Sequence, residues 1–369
     1  MVNRELLVEL IKHPEFDIRI IRFEPDQFLP ESSSKYSSLK NLSQSPPHEH
    51  PHLQIRHHWP PNFTKPVTGK LAVIFPWEYG SLPITWRDQM KQHADEIWVY
   101  SSYLKKCYER SGLPPEMIHI VPPGIDVDLF NPDAPELPFF AELKSDRFCF
   151  LYNGGVTLRK GTDILVNAYL NAFTANDNVC LIIKDSFSYG KELAAKIQSL
   201  SSRTDIAKIH YILQNFKHEE LPSLYRSCDC YVHPYRAEGF GLPVAEALSC
   251  GKPVITTMHG STSDFVDSQS GFLINSTTEF MKQRSVSGLD TVDLPWWSKP
   301  DMKHLQFLMR YSVEHYSEAQ QLAIAGRQNI QKHFNTTAAA DNAAVRIHSL
   351  LSADSSTLAS TGTGNASLK

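Results

Sequence analysis

Six short runs dictate what the second half of this chain can fold into. 148-FCFLY-152, 179-VCLII-183, 209-IHYIL-213, 230-CYVH-233, 253-PVIT-256 and 272-FLI-274 are rich in β-branched and aromatic residues and apolar on both faces. A strand with no polar face must be covered on both sides, as strands in a parallel sheet are. Between the runs, helical periodicity covers 162–173, 191–200, 219–227 and 243–249. The first of these sets Ile164, Leu165, Ala168 and Tyr169 on one face, and the third sets Leu221, Leu224 and Tyr225. Strand–helix alternation of this kind builds right-handed βαβ units and a doubly wound, Rossmann-like α/β domain.

The first 140 residues alternate less completely. Asn3 can cap a helix carrying Leu6, Leu7, Leu10 and Ile11, followed by a strand over 18-IRIIRF-23. Strands are expected at 53-LQIR-56, 71-LAVIF-75, 96-EIWVY-100 and 118-IHIV-121, with helices over 85–93 and 102–111. A doubly wound domain normally opens with its central strand and the loop nearest the ligand; this unit opens with a helix. The Ser/Pro/His-rich stretch 31–52 reads as a mobile loop and 132–138 as a linker. After Pro300 the pattern returns to helix, with Leu305, Leu308, Met309, Val313 and Tyr316 on one face and a further helix over 318–334. The expected division is an N-terminal domain at 1–140, a C-terminal domain at 141–335, a helix at 336–351 and a disordered tail at 352–369.

Composition narrows the function. With 36 Lys and Arg against 40 Asp and Glu, the net charge is −4, and no polybasic block marks a nucleic-acid surface. No apolar run approaches the ~18 residues of a membrane span, and the first residues are broken by acids and Pro where a secretory signal would be continuous. The six cysteines form no CxxC pair and sit in apolar runs, which suits reduced core residues of a cytoplasmic protein.

The segment 235-YRAEGFGLPVAEALSCGKPVIT-256 carries the chemistry. It follows an expected strand and opens a helix with Pro243 in the first turn, where a missing N–H costs nothing. Gly239 and Gly241 let the backbone approach a ligand, and the helix start offers free N–H groups to an anion. Glu238 precedes the turn and Glu246 lies one turn inside the helix; carboxylates at such places accept hydrogen bonds from sugar hydroxyls. The string resembles the E-x7-E signature of glycosyltransferase family 4, retaining enzymes of the GT-B fold. The segments 151-LYNGGVTLRKGTDILVNAY-169, 218-HEELPSLYRSCDCYVHPYRAEGFGLP-243 and 112-GLPPEMIHIVPPGIDVDLFNP-132 are similar to other parts of that family's pattern, in the family's order over roughly residues 95–275.

The resemblance implies two Rossmann-like domains facing a cleft, the N-terminal one short of its first strand, and transfer of a sugar from a nucleotide-diphosphate sugar to a glycan, lipid or small-molecule acceptor. Glu238 would stand beside the donor sugar and Glu246 would hold the ribose. The N–H groups around Gly239, Phe240, Gly241 and Leu242 would hold diphosphate or sugar, and Lys160 would meet the charge of the leaving diphosphate. Members of this fold are usually metal-independent, so no metal or other cofactor is expected beyond the co-substrate. Retention without a second nucleophile implies front-face attack. The family commonly places an Arg in the loop before the Lys; here Asn153, Gly154 and Gly155 stand there. Gly154 and Gly155 can offer backbone N–H groups to phosphate. Arg159 adjoins Lys160 as a further donor-side candidate, though it points elsewhere if Lys160 keeps the family's place.

On the N-terminal side, His57 and His58 end an expected strand at the cleft. The family often has a His close to the transferred sugar, which makes His57 a catalytic candidate; the alternative is one packed and one solvated imidazole. His48, His50 and His52 form an H-x-H-x-H run, but no Cys partners it. In 75-FPWEYGSLPITW-86, Trp77, Glu78, Tyr79 and Trp86 surround a Gly turn that suits either an acceptor-side surface or interdomain packing. Trp296 and Trp297 read as packing between late helices and sheet. The competing overall reading is an inactive or truncated glycosyltransferase-like protein with a binding or regulatory role.

Overall fold

The computed structural model describes residues 2–22, 34–135, 137–185 and 190–360, side chains excepted at 353–360. The N-terminal domain contains α1 (Val2–Leu10), α2 (Ser37–Gln44), β1 (Leu53–Arg56), β2 (Lys70–Ile74), α3 (Ile84–His93), β3 (Glu96–Val99), α4 (Ser102–Arg110) and β4 (Ile118–Ile120). Its four strands are parallel and lie in the order β1-β2-β3-β4. Their order contains no reversal among the described residues. The expected strand at 18–23 is not one: 18–22 are irregular, with Ile21 75% exposed, and Phe23 lies outside the described residues. A run of β-formers without a neighbouring strand has no ladder to join. The stretch 31–52 is likewise not a plain loop. Leu39 is buried on α2, and a single apolar anchor suffices to hold a short helix there.

The C-terminal domain follows α5 (Pro138–Lys144), a helix begun by proline where a linker was expected. It then runs β5 (Phe148–Asn153), α6 (Thr162–Ala172), β6 (Val179–Asp185), α7 (Lys191–Ser201), β7 (Lys208–Leu213), α8 (Leu221–Arg226), β8 (Cys230–His233), α9 (Leu242–Ser249), β9 (Val254–Thr257) and β10 (Phe272–Ile274). All six strands are parallel, in the order β10-β9-β8-β5-β6-β7. Every residue of β6 is buried, the two-faced burial that its apolar run requires. Ile164, Leu165, Ala168 and Tyr169 pack α6 onto the sheet, each large apolar side chain contributing roughly 1.5–3 kcal/mol. All six cysteines are buried and free.

Strand order reverses between β5 and β8, so the loops after those two strands flank the crevice where α/β sheets bind ligands. These are 154–161 and 234–241.

Two further features tie the domains together. An arm inserted after β10 is built from β11 (Ser276–Phe280), β12 (Ser285–Val286), β13 (Leu289–Asp290) and β14 (Trp296–Pro300), with β11 antiparallel to β14 and β12 to β13. It reaches the N-terminal domain, where Gly80 N donates to Trp296 O at 2.9 Å and Val292 N to Leu82 O at 2.9 Å. Trp296 and Trp297 therefore serve the interdomain seam, through Tyr103, Arg110 and Tyr79, rather than a contact with the late helices.

Then α10 (Met302–Glu314) and α11 (Tyr316–His333) cover the C-terminal domain, and α12 (Thr336–Ser360) crosses back. The crossing pairs with the first interdomain passage: Ile125 N donates to Phe334 O at 2.8 Å and Thr336 N to Ile125 O at 3.2 Å. Ala339, Ala340, Ala343, Ala344, Ile347 and Leu350 are buried along α12. Arg346 pairs with buried Glu96 of β3, and Lys70 Nζ donates to Leu350 O at 2.7 Å. The helix extends beyond residue 351, where a disordered tail was expected, because no Pro or Gly interrupts it before Gly362. Residues 361–369 lie outside the described part.

Candidate active site

Three loops meet at the point of strand reversal. The 154–161 loop brings Arg159 and Lys160, the 234–241 loop brings Glu238, and the loop after β2 brings Glu78 from the opposite domain. Lys160 Nζ lies 3.3 Å from Glu238 Oε2, with the Arg159 guanidinium 4.0 Å from the same oxygen. Arg159 Nη1 lies 3.1 Å from Glu78 Oε1. Beneath them, fully buried His233 at the end of β8 sets Nε2 3.5 Å from Glu238 Oε2. Neither of those two atoms has a hydrogen-bond partner within the protein.

The loops are stapled to each other by their backbones. Arg236 N and Ala237 N both donate to Arg159 O, at 2.8 and 3.2 Å, and Arg159 Nη1 returns a bond to Ala237 O at 2.7 Å. Arg236 grips Asp163 at the start of α6 with two bonds of 2.7 Å, and its guanidinium lies over Trp297 of the arm. Ser298 N of β14 donates to Arg236 O at 2.8 Å. From the other domain Ser101 Oγ donates to Gly239 O at 3.1 Å, and from the same domain Ser261 Oγ donates to Glu238 O. Glu238 thus sits on a loop fixed from both domains.

Charge follows this geometry. Burial works to raise the Glu238 carboxyl, but Lys160, His233 and Arg159 together hold it well below the usual carboxylate range. Burial lowers His233 against the pull of Glu238. Glu78 goes the other way: burial raises its carboxyl despite Arg159. Glu246 is also raised, to about 7, by burial inside α9. Tyr225 Oη donates to its Oε2 at 2.5 Å and in turn accepts from Asn153 Nδ2 at 2.9 Å. Glu246 and Leu242 line a small cavity with Val2, Glu5, Asp126 and His218.

The residues expected from sequence are largely brought together. Glu238, Lys160, Gly154 and the Gly239–Leu242 turn share one crevice. A Cβ on Gly154 would lie 3.7 Å from Lys160 Nζ, and one on Gly239 3.1 Å from Pro76 of the facing domain. Arg159, the further donor-side candidate, enters the cluster beside Lys160 rather than pointing away from it, and its backbone oxygen accepts from 236–237. His57 stands apart from the cluster. Its Nδ1 meets Asn3, its Nε2 meets Tyr100 Oη at 3.0 Å, and burial lowers it to about 4. Asn3 therefore bonds His57 from within α1 rather than capping that helix. His48 meets Asp17 at 3.3 Å, and no group of three or more His, Cys, Asp or Glu suited to a metal occurs among the described residues. Sequence reasoning passed over His233 and noted Glu78 only among aromatics. For both, the available signal was position at the C-terminal end of a strand.

Two Rossmann-like domains facing a cleft define the GT-B fold. The comparison with known families agrees: residues 133–283 match the family Glycosyl transferases group 1. Among curated relatives, D-inositol 3-phosphate glycosyltransferase 1 of Catenulispora acidiphila is 34% identical over 155 residues, which cover 40% of this chain and 37% of that one. Mannosylfructose-phosphate synthase of Agrobacterium fabrum is 27% identical over 165 residues, 41% of this chain and 35% of that one. The chain thus spans well under half the length of these relatives. Among solved structures, Anabaena HepE in complex with UDP and glucose aligns with a TM-score of 0.60 at 18% identity, covering 76% of this chain and 72% of that one. A glycosyltransferase from Rickettsia africae aligns with a TM-score of 0.60 at 14% identity, covering 95% of this chain and 81% of that one. No helix among the described residues is long and apolar enough to cross a membrane.

Proposed function

We propose that the chain is a nucleotide-sugar-dependent, retaining glycosyltransferase, with donor and acceptor meeting between the domains. The observation that carries this reading is the convergence of Lys160 and Arg159 on Glu238 at the strand reversal. Breaking a glycosyl–phosphate bond places negative charge on the leaving oxygen, and fixed cations with aimed backbone N–H groups stabilise it without reorganising. Lys160, Arg159 and the start of α9 supply both. In this reading Arg159 replaces the guanidinium that the Asn153-Gly154-Gly155 sequence withholds. Two fixed cations serve the diphosphate in place of a metal, so turnover should survive chelation with EDTA.

Glu238, kept ionised by Lys160 and Arg159, faces the positive character that develops on the sugar. Glu246 would hold the ribose. The two glutamates lie on one loop–helix element rather than on opposite sides of a scissile bond, which disfavours a glycosidase.

A thermal-shift panel of sugar nucleotides tests the proposal: one donor should raise the melting temperature in a concentration-dependent way. The same donor should release nucleoside diphosphate, and Glu238→Gln should remove most of that turnover. Unchanged turnover in Glu238→Gln would remove Glu238 from the mechanism.

A further inference from the structure

The arm leaves a cavity of about 360 Å³ where it meets the N-terminal domain. Ser81 and Arg110 line it from the N-terminal domain, and Phe280, Asp293, Leu294 and Trp296 from the arm. The volume lies within the roughly 300–1,000 Å³ of small-molecule sites. The cavity stands outside the charged cluster. Arg110 ends α4, whose start is joined to the Glu238 turn by the bond from Ser101 to Gly239, and the 9 residues of that helix span about 13 Å. It is close to the cluster as well: Gly80, also in the lining, follows Glu78 by two residues, at most about 7 Å of chain.

Its walls are fixed and their chemistry is mixed. Trp296 is seated on Gly80, where a Cβ would stand 2.1 Å from the ring, and the Arg110 guanidinium lies 5.4 Å from the ring centroid. Asp293 N donates to Ser81 Oγ at 2.8 Å and Thr291 Oγ1 donates to Asp293 O at 2.7 Å, which pins the backbone that carries the carboxylate. Among the described residues, neither the Arg110 guanidinium nor the Asp293 carboxylate has an ion-pair or hydrogen-bond partner. Phe280 is 56% exposed and Leu294 44%, so large apolar side chains share the cavity with those two charges. An anion would meet Asp293 and a cation Arg110, while a purely apolar ligand would strip water from both. A neutral ligand whose hydroxyls donate and accept, and whose C–H faces are apolar, suits all four side chains.

We propose that this cavity is a saccharide-binding site that holds the outer sugars of an oligosaccharide acceptor. The proposal rests on the glycosyltransferase reading above and names the acceptor class for it. The Arg110 guanidinium donates to sugar oxygens, the Asp293 carboxylate accepts from sugar hydroxyls, and Phe280 and Leu294 pack against a C–H face of the ring. A di- or trisaccharide whose reacting hydroxyl lies at the cluster spans the offset to the cavity, which a single sugar does not.

The test uses the full chain and gluco-, manno- and galacto-configured saccharides of one to four units, with affinities read by saturation-transfer NMR. Calorimetry reads the binding of UDP (GDP or ADP if UDP does not bind). In at least one series a tri- or tetrasaccharide should bind about tenfold or more tightly than its monosaccharide. Arg110→Ala should weaken that longer ligand about tenfold, the usual worth of a bond to a charged group, and Phe280→Ala about threefold. Both side chains are exposed, so both variants should keep the wild-type melting temperature and bind the nucleotide within about twofold of wild type. Longer saccharides that bind wild type and both variants equally would overturn the proposal, as would a protein that binds nucleotide but no member of any series. Nucleotide and saccharide binding lost together in the variants would make the cavity a structural seam, with the same consequence. Wild-type protein that binds no nucleotide would sink the glycosyltransferase reading, while saccharide binding that Arg110→Ala removes would still establish the cavity as a sugar site.

Discussion

Gly161 fixes the distance between the two loops that form the cluster, and replacing it with alanine measures how much the site depends on that distance. The residue is left-handed, at φ +71°, and follows Lys160 directly. A Cβ there would stand 1.8 Å from the carbonyl oxygen of Pro234 and 2.7 Å from its carbon, where Cβ contacts below 3.0 Å are essentially never seen. The obstacle is backbone, so no side-chain rotation relieves it, and the loops must part by about 1.2 Å. The left-handed conformation costs about 1–2 kcal/mol and overpacking about 1–3 kcal/mol more, a total of about 2–5 kcal/mol. At roughly 2–4 °C per kcal/mol, Gly161→Ala should melt well below wild type. Displacing Lys160 from Glu238 by about an ångström should cost on the order of 10²-fold in turnover. Gly288→Ala is the control: that residue is left-handed at φ +80° with nothing within 4 Å of a Cβ, so it bears only the conformational cost. Differential scanning fluorimetry and nucleoside diphosphate release read both variants. If Gly161→Ala melts with Gly288→Ala and turns over like wild type, the loop spacing is not what holds the cluster.

Two further outcomes follow from the site's electrostatics. Lys160→Ala should weaken UDP binding about tenfold or more while uridine binding changes little, since a bond to a charged group is worth about 1.5–3 kcal/mol; equal losses would take Lys160 off the phosphates. Glu246, raised to about 7, should accept ribose hydroxyls best when ionised, so UDP affinity should increase from pH 6 to pH 8, and Glu246→Gln should flatten that increase. The sign for the free protein is opposite. A carboxyl raised in the folded state contributes stability that is complete below its unfolded value and lost as pH rises through about 7, and chemical denaturation of the two proteins across that window should show it.

The C-terminal sheet was legible because two-faced apolar runs have one structural outcome, and β8 and β10 fall on the expected residues. In the N-terminal domain β1 does too, but 18-IRIIRF-23 misled, because β propensity cannot say whether a neighbouring strand exists. The arm escaped notice for a related reason. Its strands, such as Ser276–Phe280, alternate weakly and gain order only from pairing with Trp296–Pro300 and from docking on Gly80 and Leu82. Within the site, Glu238 and Lys160 were readable from local motifs. Arg159 was a candidate without a settled direction, because that direction depends on backbone bonds to Arg236 and Ala237, far away in sequence. Glu78 was not assigned a role because only the meeting of two domains gives that carboxyl its partners.

The return of α12 to the N-terminal sheet inverts the order in which the protein can be completed as it is synthesised. The C-terminal sheet and its helices are contained in one continuous stretch and can fold as soon as they leave the ribosome. The N-terminal domain, made first, waits for Ile347 and Leu350 to cover it and for Arg346 to neutralise Glu96. Until then its apolar helix-binding face is exposed, a period when chaperone capture or aggregation competes with folding. The first domain to be translated is therefore the last to be finished.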